Sequence, residues 1–425
     1  MSNRIFVLGI DGMPYSLMQS GYIKRLMPGL SRICAQCGAH SMNSVFPVVS
    51  SVAWTSFATG CNPAEHGIYG FADRQCNPFQ IMIPTSQNRK QPPIWSRLPQ
   101  DKKKIVINVP LTYPPEPLNG YMVSCFLCTD IRKSTYPDDF YKHLIDMDYI
   151  IDADAWLARE NKAAFLHQLI AALDKRFQLA FELLPDNWDY FQLHIMETDR
   201  LMHFFFEYII EKKSDSISRL VEDFLKRLDR WIERLFEEIH GKAAVVILSD
   251  HGFCKIKHEV QMNLWLEQQG LLSFDGTRKL ENYHEKTVCY SLVPGRIYVN
   301  LEGREKRGSI KMKDYFSVRD EIKARLLELK HPDSGEAVVN RVLYREEIYS
   351  GEYLEDAPDI IVHPENQYDL KASLEGEAIF TQSALTGMHT YDDAMIAGVG
   401  VNVSDVGSID RVYQVIWEYM LHGTV

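Results

Sequence analysis

The chain is poor in cysteine, in long apolar runs and in clustered positive charge. Eight cysteines in 425 residues do not make the disulfide framework of a small secreted domain. Two Cys-x-x-Cys pairs occur, Cys34/Cys37 and Cys125/Cys128, with 87 residues between them. A zinc ribbon joins its pairs across roughly 15–20 residues. Cys125 and Cys128 also read as strand residues, whose i, i+3 side chains face opposite sides. Free buried thiols are therefore expected. No run reaches the ~20 apolar residues that span a bilayer. The N-terminus lacks the charged region, apolar stretch and cleavage site of a secretory signal. A cytoplasmic protein with no membrane partner is expected. The one basic cluster, Lys102-Lys-Lys104, reads as a turn before a strand, and the net charge is −11. Binding of a nucleic-acid polymer through phosphate neutralisation is thereby set aside. An anionic substrate would need a local positive charge, which metal ions can supply.

What the chain does have is alternation. Its length exceeds what one hydrophobic core usually organises, so two or more structural units are expected. Short apolar strands are predicted at 4–10, 104–108, 188–196 and 243–248. Helices are predicted at 27–38, 50–59, 163–184, 198–210 and 217–240, with a helical turn at 92–98. Strands alternating with long helices predict an α/β protein with a largely parallel sheet. After Phe253 the texture changes. A strand at 296–301, a helix at 318–329 and a strand at 337–344 suggest a smaller insertion over 255–380, capping a core of 1–254 and 381–425. Strands at 359–362 and 393–398 are expected to return to the core.

The most informative stretch is Ala243-Ala-Val-Val-Ile-Leu-Ser-Asp-His-Gly-Phe253. Unbroken Val/Ile/Leu reads as a strand buried on both faces. Asp250 and His251 follow it, where ligands sit in open α/β sheets. Gly252 is expected to turn the chain sharply behind them. Carboxylate beside imidazole is a ligand mix for zinc or manganese. Asp11 ends the first strand in Gly9-Ile-Asp-Gly12. Ser50 stands at a helix N-terminus, where free N–H groups favour a phosphate and a metal can activate the hydroxyl. Asp199 and His203, at i, i+4, share one helix face after another strand. His389 precedes the strand at 393–398. Each has a bland alternative: a helix cap for Asp11, Ser50 and Asp250, an ordinary ion pair for Asp199/His203, chance for His389. His66, His194 and His258 lack comparable partners and are read as structural.

In this order the set resembles the alkaline phosphatase superfamily, within it the type I phosphodiesterase/nucleotide pyrophosphatase branch. Phe46-Pro-x-x-Ser50, Thr59-Gly60 and Pro63-x-x-His66-Gly67-Ile68 are similar to the nucleophile segment of that branch. Asn108-Val-Pro-Leu-Thr-Tyr-Pro-Pro115, Thr198-Asp-Arg-x-x-His203, Asn263-Leu-Trp and the segment 345–359 resemble its group of uncharacterised phosphohydrolase or phosphomutase proteins. The resemblance implies an α/β core with a mostly parallel sheet flanked by helices and a smaller α+β cap. It implies two divalent ions, zinc before manganese. Asp11, Asp250 and His251 would hold the ion that activates Ser50, and Asp199, His203 and His389 the other, with Ser50 reaching the metal as nucleophile. A phosphoseryl intermediate on a small phosphorylated substrate follows from it. A phosphomutase or phosphonate hydrolase using the same site is the alternative, and a non-catalytic binding protein of the same fold the more distant one. The branch places a phosphate-binding Asn where this chain has Phe71, so another group must hold that oxygen. The absence of a Cys-x-Pro-x-Arg segment around Ser50 argues against the sulfatase branch.

Overall fold

A computed structural model of the protein describes residues 3–76 and 79–423. Contacts divide the chain into two compact units. One comprises the residues up to Cys61, Thr85–Cys254 and Leu385 onward.

At the centre of this first unit lies the strand Ile5–Ile10, buried along its whole length. It pairs in parallel with Tyr190–Ile195 on one side and Ala244–Leu248 on the other. Lys104–Ile107 and Gly120–Val123 extend the parallel order. Ala394–Val399 and His40–Met42 close one edge antiparallel, and Thr135–Tyr136 closes the other. The result is an eight-stranded, mostly parallel sheet. Phe6, Leu8 and Ile10 join the apolar cluster on one face, and Ile5 and Val7 join that on the other. Two covered faces explain why these strands read as unbroken apolar runs.

On the first face pack the helices Lys162–Leu183 and Ser216–Ile239. The latter buries Val221, Phe224, Leu225, Leu228, Ile232, Leu235 and Ile239, a 3–4 residue spacing that makes one apolar stripe. Each such side chain contributes about 1.5–3 kcal/mol by leaving water. The helix Ser50–Thr59 lies against the other face through Ala53, Trp54, Phe57 and Ala58. Cys125 and Cys128 are not strand residues. They follow the strand Gly120–Val123 in a turn in which the Cys128 N–H donates to the Cys125 carbonyl. Both are buried free thiols.

The second unit comprises Asn62–Pro84 and Lys255–Ala384. Its main sheet is antiparallel, in the order Cys289–Val293, Arg296–Val299, Ile360–Pro364, Val339–Tyr344. The strand expected at 359–362 therefore does not return to the core sheet. It pairs with Arg296–Val299 and Val339–Tyr344, and Ile360 and Val362 fill this unit's own apolar centre with Ile297, Tyr298 and Val342. Segment 62–84 joins the unit through the hairpin Asp73–Cys76/Phe79–Met82. Arg74 there makes a buried ion pair with Glu305 at 2.7 Å. At the head of the strand, buried Asp359 accepts from the Val299 N–H at 2.7 Å, from Arg304 at 2.6 and 2.8 Å and from the Tyr315 hydroxyl at 2.5 Å. Among the described residues no helix is long and apolar enough to cross a membrane.

Candidate active site

The seven side chains singled out by sequence, Asp11, Ser50, Asp199, His203, Asp250, His251 and His389, all lie in the first unit. Asp11 directly follows the central strand Ile5–Ile10. Asp250 and His251 follow its neighbour Ala244–Leu248 with one residue between. Asp199 and His203 occupy the first turns of the helix Glu197–Glu211, which leaves the other neighbour. Parallel strands bring these carboxyl ends side by side. His389 arrives on the strand Gly387–Thr390, which pairs with Gly252–Lys255.

None of the three candidate helix caps is one. The cap of the helix after Asp11 is Pro14. Asp250 and His251 lead into a strand. The cap of the helix Ser50–Thr59 is Val49, whose carbonyl takes the Val52 and Ala53 N–H groups. Ser50 is thus the first helical residue, with its hydroxyl turned into the cluster. Gly252 does not make the expected turn, because it is extended. A Cβ on it would lie 2.5 Å from Thr390 Oγ1 and 2.7 Å from Asp393 Cβ. Close approach of the strand carrying His389 is what requires glycine there.

Ser50 Oγ lies 3.2 Å from Asp11 Oδ1 and 3.3 Å from His251 Nε2. His251 Nε2 lies 3.3 Å from Asp250 Oδ2 and 3.6 Å from Asp11 Oδ1. His389 Nε2 lies 3.2 Å from Asp199 Oδ1 and 3.0 Å from His203 Nε2. Two groups of three ligand atoms lie within 4.8 Å of one another: Asp199, His203, His389, and Asp11, Asp199, His251. Asp199 belongs to both. Asp250 reaches His251 without joining the second group.

A pair of divalent cations fits these donors on three counts. First, each imidazole is held through Nδ1 by a backbone carbonyl: His203 by Gly387 at 3.0 Å, His251 by Gly252 at 3.1 Å, His389 by Val48 at 3.1 Å. That fixes the tautomer and points every Nε2 inward, as metal-ligating histidines are held. Second, Asp250 Oδ1 accepts from the Gly12 N–H at 3.1 Å, but buried Oδ2, although 3.3 Å from His251 Nε2, has no hydrogen-bond partner among the described residues. An orphaned buried carboxylate oxygen is costly unless a cation meets it. Third, the carboxylates oppose one another's ionisation. Burial, then the charges of Asp250 and Asp199, raise Asp11 well above the carboxylate range. Burial raises Asp250 to about 6 against the pull of His389. For Asp199 burial is the largest influence and acts upward, but His203, His389 and Arg200 together hold it below its ordinary value. Burial keeps His203 down at about 4. Burial also holds His251 well below its ordinary value. For His389 burial acts downward too, but the hydrogen bond and charge of Asp199 outweigh it and raise the pKa. Crowded carboxylates beside imidazoles are a donor set for a hard or borderline cation.

The framework behind the site is polar and buried. Thr198 donates to the Asp11 carbonyl at 2.7 Å, tying helix to strand. Arg176, fully buried, pairs with Glu197 at 3.0 Å in the first turn of the helix that carries Asp199. Arg200 pairs with Asp152 at 2.8 Å. Two residues that sequence reasoning passes over also touch the cluster. Trp54 donates its indole N–H to Asp11 Oδ2 at 3.0 Å. His194, taken as structural, stands 3.0 Å from the same oxygen. One signal was available: His194 lies near the carboxyl end of the strand expected at 188–196, the end at which ligands sit in such sheets.

The sequence pattern of the type I phosphodiesterase/nucleotide pyrophosphatase family matches residues 5–392. The chain belongs to that family. It is a branch of the alkaline phosphatase superfamily and a family of phosphoester hydrolases. No curated protein matches the chain in sequence. Among solved structures, phosphonoacetate hydrolase from Sinorhizobium meliloti is similar at a TM-score of 0.64 and 15% identity, covering 98% of this chain and 95% of that one. Murine ectonucleotide pyrophosphatase/phosphodiesterase 5 is similar at 0.56 and 13%, covering 99% and 95%. The human protein of that name gives 0.57 and 12%, with 100% and 96%. At these identities the likeness is one of fold, the mostly parallel sheet between helices expected from the sequence. Phe71, where the branch has its Asn, belongs to the second unit.

Proposed function

We propose that this protein is a dinuclear metal-dependent phosphohydrolase that attacks a small phosphate ester with Ser50. The carrying observation is the Ser50 hydroxyl, freed from capping and set between Asp11 Oδ1 and His251 Nε2 beside two three-ligand groups. Asp11, Asp250 and His251 are the proposed holders of one ion, with Asp199 close enough to bridge. Asp199, His203 and His389 are the proposed holders of the second. When bound, such ions lower the pKa of a hydroxyl and offset phosphoryl charge. The protein's own part is placement. The N–H groups of Ser50 and Ser51 stand at the helix start, where no intrahelical acceptor exists. Buried Ser51 Oγ has no hydrogen-bond partner among the described residues. These three donors suit the phosphoryl oxygens that Asn serves elsewhere in the branch. Ser50 Oγ forms a bond to phosphorus as the ester oxygen leaves, and water then opens the phosphoseryl bond.

Zinc is favoured over manganese at the group with two imidazoles. Free, largely buried thiols suit a reducing, cytoplasmic setting. A phosphonate is the second substrate reading, supported by the fold likeness to phosphonoacetate hydrolase. Purified Ser50→Ala protein is expected to lose turnover of p-nitrophenyl phosphate and bis-p-nitrophenyl phosphate while retaining bound metal. Undiminished turnover in that variant would remove Ser50 from the chemistry. Rates with a monoester, a diester and phosphonoacetate, compared on the parent protein, choose among the substrate classes.

A further inference from the structure

We infer that Trp54 and His194 are positioning residues that hold Asp11 by one oxygen, and that Gly9 makes room for them. The inference rests on the reading of Asp11 as a metal ligand. Asp11 divides its two oxygens cleanly. Oδ1 faces Ser50 and His251. Oδ2 faces away, taking the Trp54 indole N–H at 3.0 Å and standing 3.0 Å from His194 Nε2. Every member of this set is fully buried.

His194 is the odd member. Its Nε2 is at hydrogen-bond distance from Asp11 but out of line, and neither ring nitrogen has a hydrogen-bond partner among the described residues. A buried imidazole with both nitrogens idle is expensive. A role beside the carboxylate accounts for its presence, because a small rotation of either group puts the Nε2–H on Oδ2. The indole and imidazole meet edge to face, with centroids 4.6 Å apart and planes at 84°. They hold each other against Oδ2.

Gly9 provides the independent observation. It lies inside a buried strand, where glycine weakens the strand, and sits in register beside His194. A Cβ at Gly9 would lie 2.6 Å from Trp54 Cη2 and 3.0 Å from His194 Nδ1. The Trp54 ring would have to shift, and the His194 ring to give by a few tenths of an ångström. The Gly9-Ile-Asp11 sequence therefore sets the ligand and the space for its two supports two residues apart. Ligating carboxylates are commonly anchored this way, and loss of an anchor costs ~10–100-fold in metal affinity.

The test is zinc binding by chelator competition, with cobalt absorption as a second signal. Trp54→Phe keeps most of the ring and removes the donor. His194→Leu removes the second donor, and His194→Gln returns an N–H near Nε2. We expect Trp54→Phe, His194→Leu and Gly9→Ala each to weaken one of two ions about 10–100-fold. The other ion should stay within about twofold, and the cobalt spectrum of one site should shift. His194→Gln should recover most of the loss. Parental affinity for both ions in Trp54→Phe and His194→Leu would overturn the inference. So would equal weakening of both ions together with a lower melting temperature of the metal-free protein, which marks a packing role alone. A parent protein that binds no ion would instead overturn the metal reading on which the inference stands.

Discussion

The Ser50 hydroxyl hydrogen has two acceptors within reach, Asp11 Oδ1 and His251 Nε2. Both belong to the proposed ion-binding set, so the proposed nucleophile shares its neighbours with the proposed ligands. Asp199 has a different distinction, since it alone belongs to both three-ligand groups. Asp199→Ala is expected to release both ions and lower kcat/KM by more than the ~10–100-fold of outer-shell changes. His203→Ala should release one. Elemental analysis of the two variants beside the parent checks this, and a full complement of two ions in Asp199→Ala would refute the shared role. Asp11, Ser50, Asp199, Asp250 and His251 were legible in the sequence because they sit at or just past a strand end or a helix start. His203 was legible through its i, i+4 spacing from Asp199. His389, which the structure places within the strand Gly387–Thr390, was legible only through the family resemblance. Trp54 and His194 were not. Trp54 stands inside an apolar helix, and His194, though near a strand end, has no chemical partner beside it in sequence. Their relation to Asp11 depends on which strands and helices become neighbours.

At the scale of elements, the helix Glu197–Glu211 is the one on which most depends. Its first turn holds Glu197, Thr198 and Asp199, and each is tied elsewhere: to Arg176, to the Asp11 carbonyl and to His389. Truncating one partner of a buried pair leaves an uncompensated charge, at a cost of about 3–5 kcal/mol. Glu197→Ala should therefore lower thermal stability strongly, with Arg176 stranded, and should also weaken the second ion. Thermal unfolding with and without zinc separates the two effects. A melting temperature within a degree of the parent would show that Arg176 finds another partner. The elements legible from sequence were those with long periodicity. The helix Ser50–Thr59 was readable to the residue, with Gly60 closing it, and the unbroken apolar strands announced a parallel sheet. The three-residue edge strand His40–Met42 carries too little pattern to show. Ile360–Pro364 was legible as a strand but not as to its sheet, because apolar content does not encode partner choice.

At the scale of the molecule, metal is expected to act on the first unit, and acid on both. Ligand that binds only the folded state stabilises by about 2.7 kcal/mol at a hundredfold excess over Kd. Zinc added to chelator-treated protein should raise the melting temperature of the first unit and restore turnover, which calorimetry and a phosphatase assay can follow together. Acid should act on the second unit through Asp359. Burial is the largest influence there and raises its pKa. The guanidinium and hydroxyl donors of Arg304 and Tyr315, with the charge of Arg345, outweigh it and hold the carboxyl below its ordinary value of 3.8. A depressed folded pKa means stabilisation that is fully present above about pH 4 and lost as pH falls through the folded value. Asp359→Asn should therefore be less stable at neutral pH and flatter towards acid. Parallel melting curves for parent and variant from pH 7 to pH 3 would contradict that assignment.

His389, a proposed ligand, is steadied by the Val48 carbonyl, two residues before Ser50. In sequence the two lie 341 positions apart. A ribosome-bound chain ending short of residue 389 lacks one of the two imidazoles of the second three-ligand group, however well its early strands have formed. Such a chain offers the proposed second ion an incomplete set, whereas the group of Asp11, Asp199 and His251 needs nothing beyond residue 251.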